Sequence, residues 1–206
     1  VENKEYYVLS SAQKRMYFLQ QMKTDNTAYN MPQVLPLGKD IDKEKLEPIL
    51  RELIARHESL RTSFMMVNKE PVQKIHDSVE FEIEFFDLAT EELIGSPRWG
   101  VRSFDLSQAP LIWSGLMRLP DNTHIWMVDM HHIISDGTSH MVLTEDFVSL
   151  YNGNQLEPLR LQYRDFSQWQ NRLFAFGAIK AQEDYWLDLY RDAREIPRLE
   201  LHTDFK

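Results

Sequence analysis

The chain has 206 residues, 43% hydrophobic and 12% aromatic, enough for one large domain or two small ones with a sizeable core. A formal net charge of −9 argues against a nucleic-acid binder, since neutralising phosphates takes clustered Lys and Arg. The absence of cysteine excludes disulfides, thiolate metal sites and a cysteine nucleophile, and agrees with a cytoplasmic home.

The opening VENKEYYVLSS has no basic segment followed by an apolar one, so it does not read as a signal peptide. No apolar run approaches the roughly 18 residues needed to span a membrane. Val1 is not an initiator methionine, and the chain is expected to be a piece of a longer one. Ser10 or Ser11 caps a predicted helix from about Ala12 to Met22, with Met16, Leu19 and Met22 on one face. NMPQVLPLG follows as an extended segment whose prolines place it at an edge or a terminus. The clearest helix is DIDKEKLEPILRELIARHESL, with Asp42 as N-cap and an apolar stripe of Leu46, Ile49, Leu50, Leu53 and Ile54. Pro48 conflicts with it, so the helix is either kinked there or regular only from there.

RTSFMMVNKEPVQKIH reads as a hairpin turning at Asn68-Lys69-Glu70, and VEFEIEFFDL alternates as a half-solvated strand does. LIWSGLMRL and HIWMVDMHHII form a second predicted strand pair around Pro120-Asp121-Asn122. Two helices follow, over about Thr138–Tyr151 and Arg164–Tyr190, the second broken at Gly177. The tail EIPRLELHTDFK has linker character. Helices mixed with hairpin strands point to an α/β layer fold with a mixed sheet.

The chemistry concentrates in MHHIISDGTSH, residues 130–140. Strand alternation puts His132 on the face of Met130 and Val128 and His131 on that of Asp129. The two imidazoles therefore point opposite ways, one toward a cavity and one held inside. Asp136-Gly137 turns the chain into the next helix, capped by Ser135 or Asp136. The positive end of that helix near His132 favours the neutral imidazole, the form that accepts a proton. Two rival readings fit the same stretch. In one, both histidines are core residues and Asp136 is only an N-cap. In the other, His132, Asp136 and His140, spaced i, i+4, i+8, would share one face of a helix as metal ligands. Gly137 and the apolar strand before it argue against a continuous helix, so no metal is expected.

Four stretches in order resemble the condensation domains of nonribosomal peptide synthetases, a family related to chloramphenicol-acetyltransferase-like acyltransferases. They are SSAQKRMYFL at 10–19, RHESLRTSF at 56–64, MHHIISDGTS at 130–139, which carries the HHxxxDG signature, and YRDFSQW at 163–169. The resemblance covers essentially the whole chain. It departs in VRSFDLSQAPLIW at 101–113, where Pro is usual in place of Ser103 and a basic residue in place of Trp113.

The resemblance implies a chloramphenicol-acetyltransferase-like α/β fold, its mixed, largely antiparallel sheet covered by helices. The chain would be one lobe of a V-shaped two-lobe domain, with residues 1–194 the N-terminal lobe and 195–206 the start of a linker toward the missing C-terminal lobe. Such domains form amide bonds between aminoacyl or peptidyl thioesters carried on the phosphopantetheine arms of donor and acceptor peptidyl carrier proteins. No intrinsic cofactor is implied. The C-terminal lobe and an adjacent adenylation domain are the further partners. His132 matches the family's base or positioning group, and His131, Asp136 and Gly137 complete the signature. The family favours a structural Asp136 with an arginine partner, for which Arg61 is the candidate; the rival reading is a solvated arginine at a helix end, which Arg56 could equally be. Tyr163, Phe166 and Trp169 are expected to pack the last helices on the sheet. SSAQKRMYFL and TAYNMP look like L-donor elongation types, with the epimerisation subtype still open. Two functions from other classes remain: a coenzyme-A-dependent acyltransferase whose site a neighbouring subunit completes, and a non-catalytic lobe that only docks carrier proteins.

Overall fold

The computed structural model describes residues 2–23, 25–39, 41–88 and 100–191. The chain divides into two compact units, Val1–Gln170 and Asn171–Lys206. The lobe boundary predicted at residue 194 and the linker at 195–206 lie outside the described residues.

A short strand, β1 (Tyr7–Val8), leads into helix α1 (Ser11–Met22). Ser10 caps the helix reciprocally: its hydroxyl accepts the Gln13 N–H at 3.2 Å, and the Gln13 side chain accepts the Ser10 N–H at 3.0 Å. This cap decides which face turns inward. Gln13, Tyr17 and Gln20 are buried, Met16 is partly buried, and Met22 is 82% exposed, so the predicted apolar face is corrected. Gln13 and Gln20 go inside with hydrogen bonds in place, Gln20 donating to the Asn26 carbonyl, which removes most of the cost of burying an amide.

Strand β2 (Gln33–Leu37) is an edge strand, as its prolines predict. Helix α2 (Lys43–Arg56) runs through Pro48 and starts at the predicted cap, Asp42. All five stripe residues are buried. At about 1.5–3 kcal/mol per buried Leu or Ile, the stripe outweighs the roughly 3 kcal/mol that an interior proline costs. Asp42 makes no side-chain cap; its carboxylate faces Lys45 at 3.6 Å.

A 3₁₀ turn at Glu58–Arg61 delivers β3 (Thr62–Val67), which turns into β4 (Glu70–Ile75) through Asn68 and Lys69, both at positive φ. Together with β1 they form a three-stranded antiparallel sheet in the order β1-β4-β3. Strand β5 is limited to Glu84–Asp87, shorter than the alternation of VEFEIEFFDL predicts. Val79, Phe81 and Ile83 lie outside any strand yet pack on the core, so their apolar spacing reflects burial without ladder pairing.

Strands β6 (Ile112–Arg118) and β7 (His124–Met130) form the second predicted hairpin. The second sheet has the order β2-β7-β6-β5, antiparallel except for the parallel β5–β6 pair. The strands are thus divided between two sheets. Strand β7 is central, with Trp126 and Met130 in the main core beside α2 and the half-buried Leu143 and Phe147 of helix α3 (Gly137–Tyr151).

Helix α4 (Tyr163–Ala175) is fastened by polar contacts. Ser167 donates to the Val8 carbonyl at 2.6 Å, Tyr163 and Ser10 share a hydrogen bond of 2.9 Å, and Gln170 accepts the Ser11 N–H at 2.8 Å. Tyr163, Phe166 and Trp169 are 37%, 41% and 55% exposed, with Phe166 in tilted ring contact with each of the other two, so their predicted packing role is corrected. The small, fully buried Ser167 lets the backbones approach, which the large rings cannot. In the second unit, Gly177 at φ +67° ends α4 before helix α5 (Lys180–Leu189), the predicted break.

Candidate functional site

The signature loop hangs from the end of β7, and residues 29–31 hold it there. Met31 N–H donates to the Met130 carbonyl at 2.8 Å, Asn30 and His131 form a bridge, and His132 N–H donates to the Tyr29 carbonyl at 2.7 Å. The Asn30 side chain adds bonds to the Asp129 carboxylate at 2.6 Å and the Arg102 carbonyl at 2.7 Å. Every backbone unit from Met130 to His132 is thereby fixed from one side. The local sequence pattern does not encode this brace. Its one legible signal is Asp129, an acid in an otherwise apolar strand. That carboxyl is 1% exposed, and burial raises its pKa.

His131 is fully buried, with its ring beside those of Tyr29 and Phe104. Its Nδ1 accepts the Ile133 N–H at 3.0 Å, so the neutral ring carries its proton on Nε2. Burial, and secondarily the neighbouring His132, pushes its pKa down to about 4. This imidazole is a neutral core group. His132 is half-buried and its Nδ1–H donates to the Ser135 carbonyl at 2.7 Å. In the neutral ring that bond fixes the tautomer and leaves an Nε2 lone pair that no hydrogen bond among the described residues uses.

Asp136 is the N-cap of α3. Its Oδ1 accepts from the Ser139 N–H and the Ser139 hydroxyl, both at 2.7 Å, and these bonds hold its pKa below the usual carboxylate value. The side chain is exposed, and the predicted ion pair with Arg61 is absent among the described residues. Arg61 instead bonds the Ala55 and His76 carbonyls and faces Glu58 at 3.9 Å, held by its own 3₁₀ turn and the end of β4. Arg56 is not a solvated arginine at its helix end. It meets Asp146 of α3 at 2.9 Å, where Asp146 also bonds His57 at 2.9 Å, tying the end of α2 to α3. Burial lowers the His57 pKa against the pull of Asp146.

Gly137 opens α3 without a positive φ, and a Cβ built there meets nothing within 4 Å. Neither conformation nor packing among the described residues demands glycine. His132 and Asp136 precede α3 and His140 lies within it, so the three do not share a helix face; among the described residues no group of three His, Asp or Glu side chains is arranged to hold a metal. Trp113, where the resemblance departs, donates to Glu84 at 2.7 Å and lies under the Arg102 guanidinium, itself paired with Glu84. Arg102, from the same 101–113 stretch, thus places a cation over the Trp113 ring.

Residues 3–204 match the family model of the condensation domain. Bacitracin synthase 3 of Bacillus licheniformis is 42% identical over 205 residues, and tyrocidine synthase 3 of Brevibacillus parabrevis 43% identical over 201. These alignments cover 100% and 98% of this chain but only 3% of each relative. The X-domain, solved in complex with OxyB from teicoplanin biosynthesis, superposes with a TM-score of 0.82 at 27% identity, over 100% of this chain and 47% of that one. The starter condensation domain of rhizomide synthetase RzmA gives a TM-score of 0.76 at 22% identity, over 93% of this chain and 49% of that one. With a layered α/β fold spanning about half of those structures, the chain belongs to the condensation-domain family of nonribosomal peptide synthetases and represents one lobe of that domain.

Proposed function

We propose that this lobe carries the signature histidine of a domain that forms an amide bond between thioesters on the phosphopantetheine arms of two peptidyl carrier proteins. It would work with a C-terminal lobe and an adjacent adenylation domain, as an L-donor elongation type in the cytoplasm. The observation that carries this reading is the 2.7 Å bond from His132 Nδ1–H to the Ser135 carbonyl, which in the neutral ring leaves the lone pair on Nε2. Gly137 supports it, since the open space above its backbone leaves room for substrate to approach.

In this reading the acceptor's α-amino nitrogen attacks the donor's thioester carbonyl. The C–N bond forms, the nitrogen gives a proton to His132 Nε2, and the tetrahedral species collapses with loss of the thiolate, which takes the proton back. A free α-amino group has a pKa of roughly 8, so making the neutral amine near pH 7 costs only about 1 kcal/mol. His132 is therefore needed less to create the nucleophile than to orient it and to take the proton as charge builds on nitrogen.

The test is dipeptide formation from two loaded carrier proteins. The complete two-lobe domain should make dipeptide, and the 206-residue chain little or none, because the other wall of the tunnel belongs to the second lobe. Gly137→Ala in the complete domain should lower turnover by about tenfold to a hundredfold through misplaced substrate. The same variant should leave stability equal or higher by up to about 1 kcal/mol. Full-rate dipeptide formation by the chain alone, or acetyl transfer by it from coenzyme A, would overturn the reading.

A further inference from the structure

The register of β2 on β7 runs on past the end of β2. Gln33 faces Val128, and Asn30, three residues back, faces His131, three residues on. The bonds from Met31 N–H to the Met130 carbonyl and from His132 N–H to the Tyr29 carbonyl flank the Asn30–His131 pair. That makes it a non-hydrogen-bonded pair of an antiparallel ladder, the position where side chains on one face come closest. His132 closes this ladder. Beyond it the chain turns, with Ile134 N–H on the His131 carbonyl at 3.1 Å. Two bonds therefore aim the His132 ring: its backbone N–H on Tyr29 and its Nδ1–H on the Ser135 carbonyl.

The first of those bonds depends on where residues 29–31 lie. They continue edge strand β2, and their ladder partner is the end of β7. Asn30 adds the side-chain hold. Its Nδ2 donates to the Asp129 carboxylate at 2.6 Å and to the Arg102 carbonyl at 2.7 Å. A carbonyl oxygen can only accept, so the amide nitrogen is fixed on this side with both hydrogens used. Asp129 lies two residues before His131 on the same strand face, the diagonal neighbour of Asn30 across the pair. Asparagine is the side chain of this length that offers two N–H donors on one atom; aspartate offers none and serine one. The amide thus joins residues 29–31 to the buried end of β7 and to the stretch at Arg102.

We propose that Asn30 is a positioning residue for amide-bond formation: by clamping residues 29–31 to Asp129 and to the Arg102 carbonyl, it sets the direction in which His132 presents Nε2. It acts through the Tyr29 carbonyl and the backbone of His132 and touches no reacting atom. The inference rests on the role given to His132 above. Loss of the clamp leaves a buried carboxyl and a carbonyl short of a donor, and the edge segment shifts to recover them. A displacement of about 1 Å in a reacting group is enough to cost on the order of 10²-fold in rate. Substrate binding, which does not use the His132 lone pair, is spared.

The test uses the complete two-lobe domain with ring-¹⁵N histidine, the His132 signals being those lost in His132→Ala. In wild type at pH 8 they should show the Nδ1–H tautomer. Asn30→Asp keeps the size of the side chain and removes both donors. It should mix the two tautomers and lower kcat by about tenfold to a hundredfold, with KM within about twofold. Asn30→Ala, which adds no charge, should act in the same direction and decides if Asn30→Asp does not fold. Asn30→Asp with Asp129→Asn restores a donor and an acceptor across the pair and should recover most of the loss in kcat. In a His132→Ala background either Asn30 variant should cost less than about twofold more, because the group being aimed is gone, whereas a merely structural defect would multiply. Unchanged ring signals, a loss confined to KM, or a full further loss beside His132→Ala would each overturn the proposal. The ring signals need no substrate. Disturbed signals together with wild-type turnover in His132→Ala would therefore uphold the hold of Asn30 on the ring and overturn the function given to His132.

Discussion

Replacing His132 by alanine in the complete two-lobe enzyme is expected to lower turnover by about 10²- to 10⁴-fold, the range of a positioned base. Stability should change by no more than about 1 kcal/mol. The ring is half-buried, and its one bond among the described residues is to the Ser135 carbonyl, within the same turn. Asp136→Ala should behave differently. A buried ion pair with Arg61 would cost about 3–5 kcal/mol when broken. Asp136 is an exposed N-cap bonded to Ser139, and loss of such a cap costs about 1 kcal/mol. Because Arg61 is engaged by Glu58 and the His76 carbonyl, Arg61→Ala and Asp136→Ala should add within about 0.5 kcal/mol. Urea unfolding of the three variants beside turnover of the complete enzyme decides. A combined loss well below the sum of the single losses would restore the Arg61–Asp136 pair. Wild-type stability in Asp136→Ala with the activity loss of His132→Ala would make Asp136 an orienting group for His132.

Where hydrophobic period and local chemistry agree, the elements are legible from residues alone. The five-residue stripe of α2, the Asn68-Lys69 turn and the two strands flanking Asn122 are where their patterns put them. Asp136 is legible as a cap because its acceptor reaches a donor only three residues ahead. The misreadings come from polar side chains that find partners inside, near in sequence for Gln13 (Ser10) and Gln20 (Asn26) and far away for Ser167 and Asn30. Gln13 and Gln20 turn inward against the apolar period of α1, and Ser167 docks α4 while the large rings beside it face out. The brace of the signature loop joins Asn30 to Asp129, 99 positions away, and no local pattern encodes such a contact. Arg56 and Arg61 stand five residues apart in one stretch, and only the path of α3 shows that Arg56 meets Asp146 and that neither meets Asp136.

Between pH 7.5 and pH 4 the chain is expected to lose about 3 kcal/mol of stability through His131 alone. The unfolded imidazole titrates near 6.5 and the folded one at about 4, because protonation must place a charge among Tyr29, Phe104 and the end of β7. Above pH 6.5 neither state holds the proton and the contribution to folding is complete. As pH falls through 6.5 the unfolded state takes up a proton that the folded state refuses, so stability drops with pH. Below about 4 both states are protonated and the slope vanishes. At 1.36 kcal/mol per pH unit, the span from 6.5 to about 4 gives the roughly 3 kcal/mol. His57, His76 and His140 also have pKa values lowered by burial and add slope of the same sign, so the wild-type curve alone does not isolate His131. His131→Asn does. Asparagine keeps an acceptor for the Ile133 N–H but cannot take the proton. The variant should be less stable than wild type at pH 7.5, from lost packing, yet fall by about 3 kcal/mol less on the way to pH 4. Parallel curves for the two proteins, from urea unfolding at half-unit pH steps, would show that His131 is charged in the fold. A charged His131 would need a counter-ion, and the Tyr29 and Phe104 rings beside it supply none.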